Sequence, residues 1–239
     1  MVGLLLQAQR QVMERGRIDE GLLRKASRLS PRDAIRFLYT IQRWAHGESK
    51  EVLSWDTYGN LVEAAAKAKE VVLPKVVEYV RERFGVEIPL EARRGWTDPI
   101  FEELKKVAAS DPREARERGM DEYFFVVSSE FGNGVVSWER LKGLLRYVPA
   151  RNMLDRQNYA PTFLDFAEAA SRVPGSYLEV YVVTKEREDE RVTVEGILMP
   201  VGAEAGEVAD ELIKKAIEPP DEIDFFELKG REYVRLWWD

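Results

Sequence analysis

The chain contains no cysteine and a single histidine, His46, in 239 residues. Each absence removes chemistry. Without thiols there is no disulfide, no thiolate nucleophile and no thiolate metal site. With one imidazole there is no two-histidine metal site within the chain, and any Ser–His–Asp arrangement has to run through His46. Long hydrophobic runs are also missing. Apolar stretches such as 71–73 and 123–127 fall far short of the ~20 residues that span a bilayer. The apolar start at residues 1–6 is followed at once by Gln7, Gln9 and Arg10, so the long apolar core of a signal peptide is absent. These features predict a cytoplasmic protein with no membrane partner. Carboxylates, Lys, Arg, Tyr and hydroxyls remain for chemistry, and nothing in the sequence calls for a cofactor.

Charge is what the chain has in quantity. Charged residues make up 33% and hydrophobic residues 45%, the balance of a globular protein able to bury a core. Heavy use of Glu, Lys and Arg with no Cys resembles hyperthermophile composition. The charge is unevenly spread. Residues 1–119 hold 22 basic and 19 acidic side chains, whereas residues 120–239 hold 14 and 24. Within residues 1–46, nine Lys or Arg stand against four acids. Such asymmetry suggests that the two halves meet different partners.

The first half reads as helices. Segments 4–14 and 21–28 are separated by a turn at Gly16. Ser30 then supplies an N-cap with Pro31 at the first helical position and Asp33 in the first turn. Gly47 closes that helix. Ala34, Phe37, Leu38, Ile41, Trp44 and Ala45 give it one buried stripe. A long pattern follows over 50–84, with Gly59 and Pro74 as expected interruptions and an Ala-rich patch at 64–68 for close helix approach. Asp98-Pro99 and Asp111-Pro112 open two further short helices. This describes a helical domain over 1–119.

Residues 120–239 change pattern. A strand is expected over 123–128 and a tight turn at Gly132-Asn133-Gly134. Val135 and Val136 return before Ser137 caps a helix over 138–147. Thr162 and Asp165 have capping-box spacing for a helix that stops at Pro174-Gly175. Strands over 177–184 and 191–198, a helix over 204–217, and a hairpin around Lys229-Gly230 complete a ββαββ order. The fold class is therefore α+β, with a second domain over 120–239 built on an antiparallel sheet.

The leading candidate site is a basic helical face. Arg32, Arg36, Tyr39 and Arg43 recur at spacings of four, three and four, opposite the apolar stripe. Guanidinium groups pair bidentately with phosphate, and an interleaved tyrosine can stack on a base. The face suits nucleic acid or an acidic protein surface; its plain alternative is a solvated helix side. His46, beside Gly47, reads as a helix C-terminal cap.

Weaker constellations follow. Asp221, Glu227 and Lys229 resemble the carboxylate–lysine order of metal-dependent nucleases, but six residues of strand span ~20 Å, too far for shared metal ligands. Glu179, Tyr181 and Glu195 would share a sheet face if the first hairpin pairs in register. Gly132-Asn133-Gly134 could offer amides to a phosphate but lacks the Lys of a P-loop. Trp237 and Trp238 must point to opposite sheet faces, which suggests a domain interface or a homodimer through the C-terminal aromatic strand. The expected function is a non-catalytic interaction protein acting through Arg32, Arg36, Tyr39 and Arg43. The alternatives are a metal-dependent carboxylate hydrolase or nuclease, and a structural subunit of a larger assembly.

Overall fold

Ser30 begins the clearest helix of the chain. Its hydroxyl accepts a hydrogen bond from the Asp33 amide at 3.3 Å, meeting one of the amides that a helix start leaves without an internal partner. The computed structural model describes residues 1–46, 54–109, 112–117 and 120–239. The expected stop at Gly47, the start at Asp111 and the domain boundary at Gly119 lie outside them. The described residues form two compact units, Met1–Leu90 and Glu91–Asp239.

The first unit is helical: α1 (Val2–Arg15), α2 (Glu20–Arg24), a 3-10 turn (Lys25–Arg28), α3 (Pro31–His46) and α4 (Trp55–Phe84). Gly16 ends α1 in the left-handed conformation, φ 64°, where its amide reaches the Val12 carbonyl, as a glycine readily does. Asn60 ties that turn to α4 by donating to the Gly16 carbonyl. Neither Gly59 nor Pro74 interrupts α4, which runs unbroken for 30 residues. Its buried Ala64, Ala65 and Ala68 and the buried Ala34, Phe37, Leu38 and Ile41 of α3 form the faces over which the two helices pack. Small residues on one side and large ones on the other let the backbones approach while the space between them stays filled.

In the second unit α5 (Asp98–Leu104) and α6 (Pro112–Glu117) precede β1 (Tyr123–Val126) and β2 (Phe131–Ser137). Then come α7 (Trp138–Leu144), α8 (Ala150–Met153), α9 (Phe163–Arg172), β3 (Tyr177–Val183), β4 (Arg191–Pro200), α10 (Ala203–Lys215), β5 (Glu222–Leu228) and β6 (Arg231–Trp237). The strands make one antiparallel sheet in the order β1-β2-β3-β4-β6-β5. The chain is α+β. Among the described residues no helix is long and apolar enough to cross a membrane.

The compact units divide at Leu90 rather than near Gly119. Contacts made far along the chain explain why. Glu190 accepts hydrogen bonds from the Gly95 amide and from the Thr97 amide and hydroxyl at 2.8–3.0 Å. Phe101 meets Phe124 edge to face at 5.6 Å, and the Ala109 amide donates to the Phe124 carbonyl. Residues 91–109 are thereby held to the sheet.

The expected turn at Gly132-Asn133-Gly134 is a strand. These residues lie within β2, paired to β1 on one side and β3 on the other, and the turn sits before Phe131 instead. A Cβ on Gly132 would come within 2.5 Å of the Phe125 carbonyl oxygen, and one on Gly134 would collide with that of Tyr123. The glycines thus permit close approach of β1 rather than a reversal. Because the ladders engage this segment on both sides, its amides do not form a phosphate cradle.

Candidate functional site

Helix α3 carries Arg32, Arg36, Tyr39 and Arg43 on one side. At 100° per residue they fall within a stripe about 60° wide, opposite the buried Ala34, Phe37, Leu38, Ile41 and Ala45. Arg32, Arg36 and Arg43 are exposed and Tyr39 is half-buried between them. The expected face is therefore assembled as a surface, by nothing more than helical periodicity and an apolar opposite side.

Its electrostatics separate it from the helices around it. On α1 and α2, exposed arginines are matched by acids one turn away: Arg10 with Glu14, Arg15 with Asp19, and Arg24 with Glu20, at 2.7–3.3 Å. On α4, Lys67 meets Glu63 and Lys75 meets Glu78. Over residues 25–43 such matching is missing among the described residues. Lys25, Arg28, Arg32, Arg36 and Arg43 are all exposed, and among the described residues none of them makes a salt bridge. The one acid within 25–46 is Asp33. Among the described residues, the five cations on a short 3-10 turn and the helix after it have no carboxylate in salt-bridge reach, which leaves a local positive field.

The second unit contains a cation embedded in acids. Arg235 of β6 lies in a bidentate pair with Glu179 of β3, at 2.9 and 3.1 Å. It also reaches Glu222 at 2.5 Å and Asp224 at 3.3 Å, and it rests over the Trp237 ring at 5.3 Å. Gly196 makes room for this pair, since a Cβ there would strike the Glu179 carboxylate. Burial nevertheless holds the Glu179 carboxyl above the usual carboxylate range, because its one cation is shared among three acids.

Glu179 pairs with Gly196 and Val180 with Val194, so Glu195 is the extra residue of a β-bulge. The bulge turns Glu195 to the Glu179 side. Burial, then the Glu179 charge, raises the Glu195 carboxyl as well. Tyr181 stands opposite Thr193 on that same side, stacked near Phe131 at 5.5 Å. Glu179, Tyr181 and Glu195 thus share a face, although the hairpin shifts register at the bulge instead of pairing in register throughout. The sequence could not show Arg235, which neutralises part of that face from two strands away.

The remaining sets do not assemble. Asp221 precedes β5 and accepts from the Asp239 amide, while Glu227 lies at the far end of that strand opposite Glu232. Lys229 occupies the hairpin turn with φ 53° and pairs with Asp121 at 2.8 Å. Among the described residues no group of three His, Asp or Glu side chains is placed to hold a metal. Trp238 is buried, with its indole N–H on the Glu218 carbonyl and its ring edge-on to Phe166 of α9. Trp237 lies half-exposed on the opposite face beneath Arg235.

A cleft of about 530 Å³ is lined by Glu103, Ser137, Arg140, Arg146 and Tyr147. Its Arg140 is neutralised by Glu122 at 3.0 Å and Glu103 at 3.5 Å, while Arg146 rests over the Tyr147 ring at 5.0 Å. The α3 stripe is a surface whose arginines have no carboxylate partner among the described residues. The chain matches no family model, and comparison with curated proteins and with solved structures finds no similar protein.

Proposed function

We propose that the protein is a non-catalytic binding protein that grips the phosphate backbone of a nucleic acid through α3. Arg32, Arg36 and Arg43 meet successive phosphates, Tyr39 stacks or packs against the sugar–base side, and Lys25 and Arg28 extend the track. The observation that supports this reading is the contrast in ion pairing. Exposed cations on α1 and α2 have acids within hydrogen-bond distance, while the run over residues 25–43 has none among the described residues. Unpaired guanidinium groups on a rigid helix carry no competing partner that a phosphate must displace.

The test is fluorescence anisotropy with labelled single-stranded RNA, single-stranded DNA and duplex DNA, beside labelled poly-glutamate. Wild-type protein binds the nucleic acids, and Arg36→Glu with Arg43→Glu weakens that binding by at least about tenfold, since each reversal replaces a phosphate contact by repulsion. Equal affinity of the doubly reversed variant refutes the assignment of the face. Preference for poly-glutamate over every nucleic acid transfers the same face to an acidic protein partner.

A further inference from the structure

Strand β5 ends the sheet, and the bare part of this edge is unusual. Among the described residues no backbone hydrogen bond leaves Glu222–Leu228 except toward β6. Alternate residues Ile223 and Phe225 point to one face and are 53% and 72% exposed. Their neighbours Phe226 and Leu228 turn the other way and pack with Tyr233 into an aromatic cluster. The strand contains no Lys, no Pro and no register shift, and the charges that guard it against other strands are the acids Glu222, Asp224 and Glu227.

The same face carries a local conflict. Glu227 stands directly opposite Glu232. Both are exposed, and neither makes a salt bridge among the described residues. Like charges directly opposite on adjacent strands repel. The edge therefore offers, in order, two apolar side chains, two unneutralised carboxylates and a row of unpaired backbone groups.

We propose that β5 is a docking edge for an extended segment of another protein that alternates apolar and basic residues. The segment adds antiparallel to β5 as a seventh strand and takes up the free backbone groups. Its apolar residues cover Ile223 and Phe225, and a Lys or Arg beside Glu227 offsets the repulsion from Glu232. Charge complementarity selects this occupant over a second copy of the chain. Self-pairing of β5 would lay a strand with three acids and no Lys or Arg beside an identical one. The predicted partner is thus opposite in charge to the one proposed for α3.

A capped synthetic peptide alternating valine and lysine is the probe, with a valine–glutamate peptide and a proline-interrupted version as controls. Binding of the valine–lysine peptide alone is expected, with slowed hydrogen exchange at β5 amides. Phe225→Ser and Glu227→Lys each weaken it by about tenfold, the scale of a central contact. Both side chains are exposed, and an unchanged unfolding midpoint separates lost binding from lost folding. Equal binding of the valine–glutamate peptide, or protection away from β5, overturns the proposal. A dimer in sedimentation that Phe225→Ser dissociates overturns it in favour of a second copy.

Discussion

Arg36 and Arg235 are both arginines in the middle of regular elements, and their surroundings differ in kind. Arg235 is shared among Glu179, Glu222 and Asp224 over the Trp237 ring. Arg36 is exposed on α3 and has no carboxylate partner among the described residues. The difference extends to their units. In the sheet unit Arg140 holds Glu122, and Lys215 holds Asp165 and Glu168. Burial opposes the Lys215 charge, yet those two acids keep the ammonium above its ordinary range. There, charge closes the structure. On the 3-10 turn and α3, charge is presented outward and contributes nothing evident to folding.

The contrast breaks first at Arg235. Arg235→Met leaves Glu179 largely buried without its cation and should lower stability by about 3 kcal/mol in urea unfolding. A cost close to zero would show that the sheet network is as dispensable as the α3 stripe. Next in size is Asn152. Its side chain donates to the Val192 carbonyl at 2.7 Å and accepts from the Val192 amide at 3.0 Å, standing in for a neighbouring strand. Asn152→Ala leaves both backbone groups unmet at a cost of about 2 kcal/mol, again read from urea unfolding.

Much of this architecture can be read locally. The Thr162–Asp165 capping box, the Ser30 cap and the Lys229-Gly230 hairpin each depend on residues a few positions apart, and each is visible as a spacing. What cannot be read depends on contacts far along the chain. Gly132 and Gly134 carry the composition of a turn, and only the nearness of β1 explains them as strand residues. Glu190 reads as one charge in a solvated turn until its three donors from 95–97 are in place. The α3 stripe was legible because helical periodicity alone defines it. Its lack of ion pairs was not, because pairing is a property of the assembled surface.

Smaller effects sharpen the comparison. Glu195 and Glu179 have carboxyls raised in the folded state, so the folded protein holds these protons more tightly than the unfolded chain. Their contribution favours folding at low pH and is lost as pH rises through the raised values. Glu195→Gln should remove part of that loss and raise stability at neutral pH by less than about 1 kcal/mol, with little change below the ordinary carboxylate range. Glu122 and Asp121 are lowered despite burial, by Arg140 and Lys229 respectively. Their support is present at neutral pH and disappears on acidification. Urea unfolding of wild type and Glu195→Gln across pH separates the two groups. Smallest of all, Arg36→Gln and Arg43→Gln should change stability by no more than about 0.5 kcal/mol.

The central claim is that the unpaired cations of residues 25–43 neutralise phosphates, and the salt dependence of affinity tests it most directly. For a labelled single strand, the logarithm of the association constant should fall with the logarithm of salt at a slope near −3, as about four neutralised phosphates require. Arg36→Gln with Arg43→Gln should cut that slope by about half. Absence of binding at about 50 mM salt, or an unchanged slope in the double variant, would contradict the account.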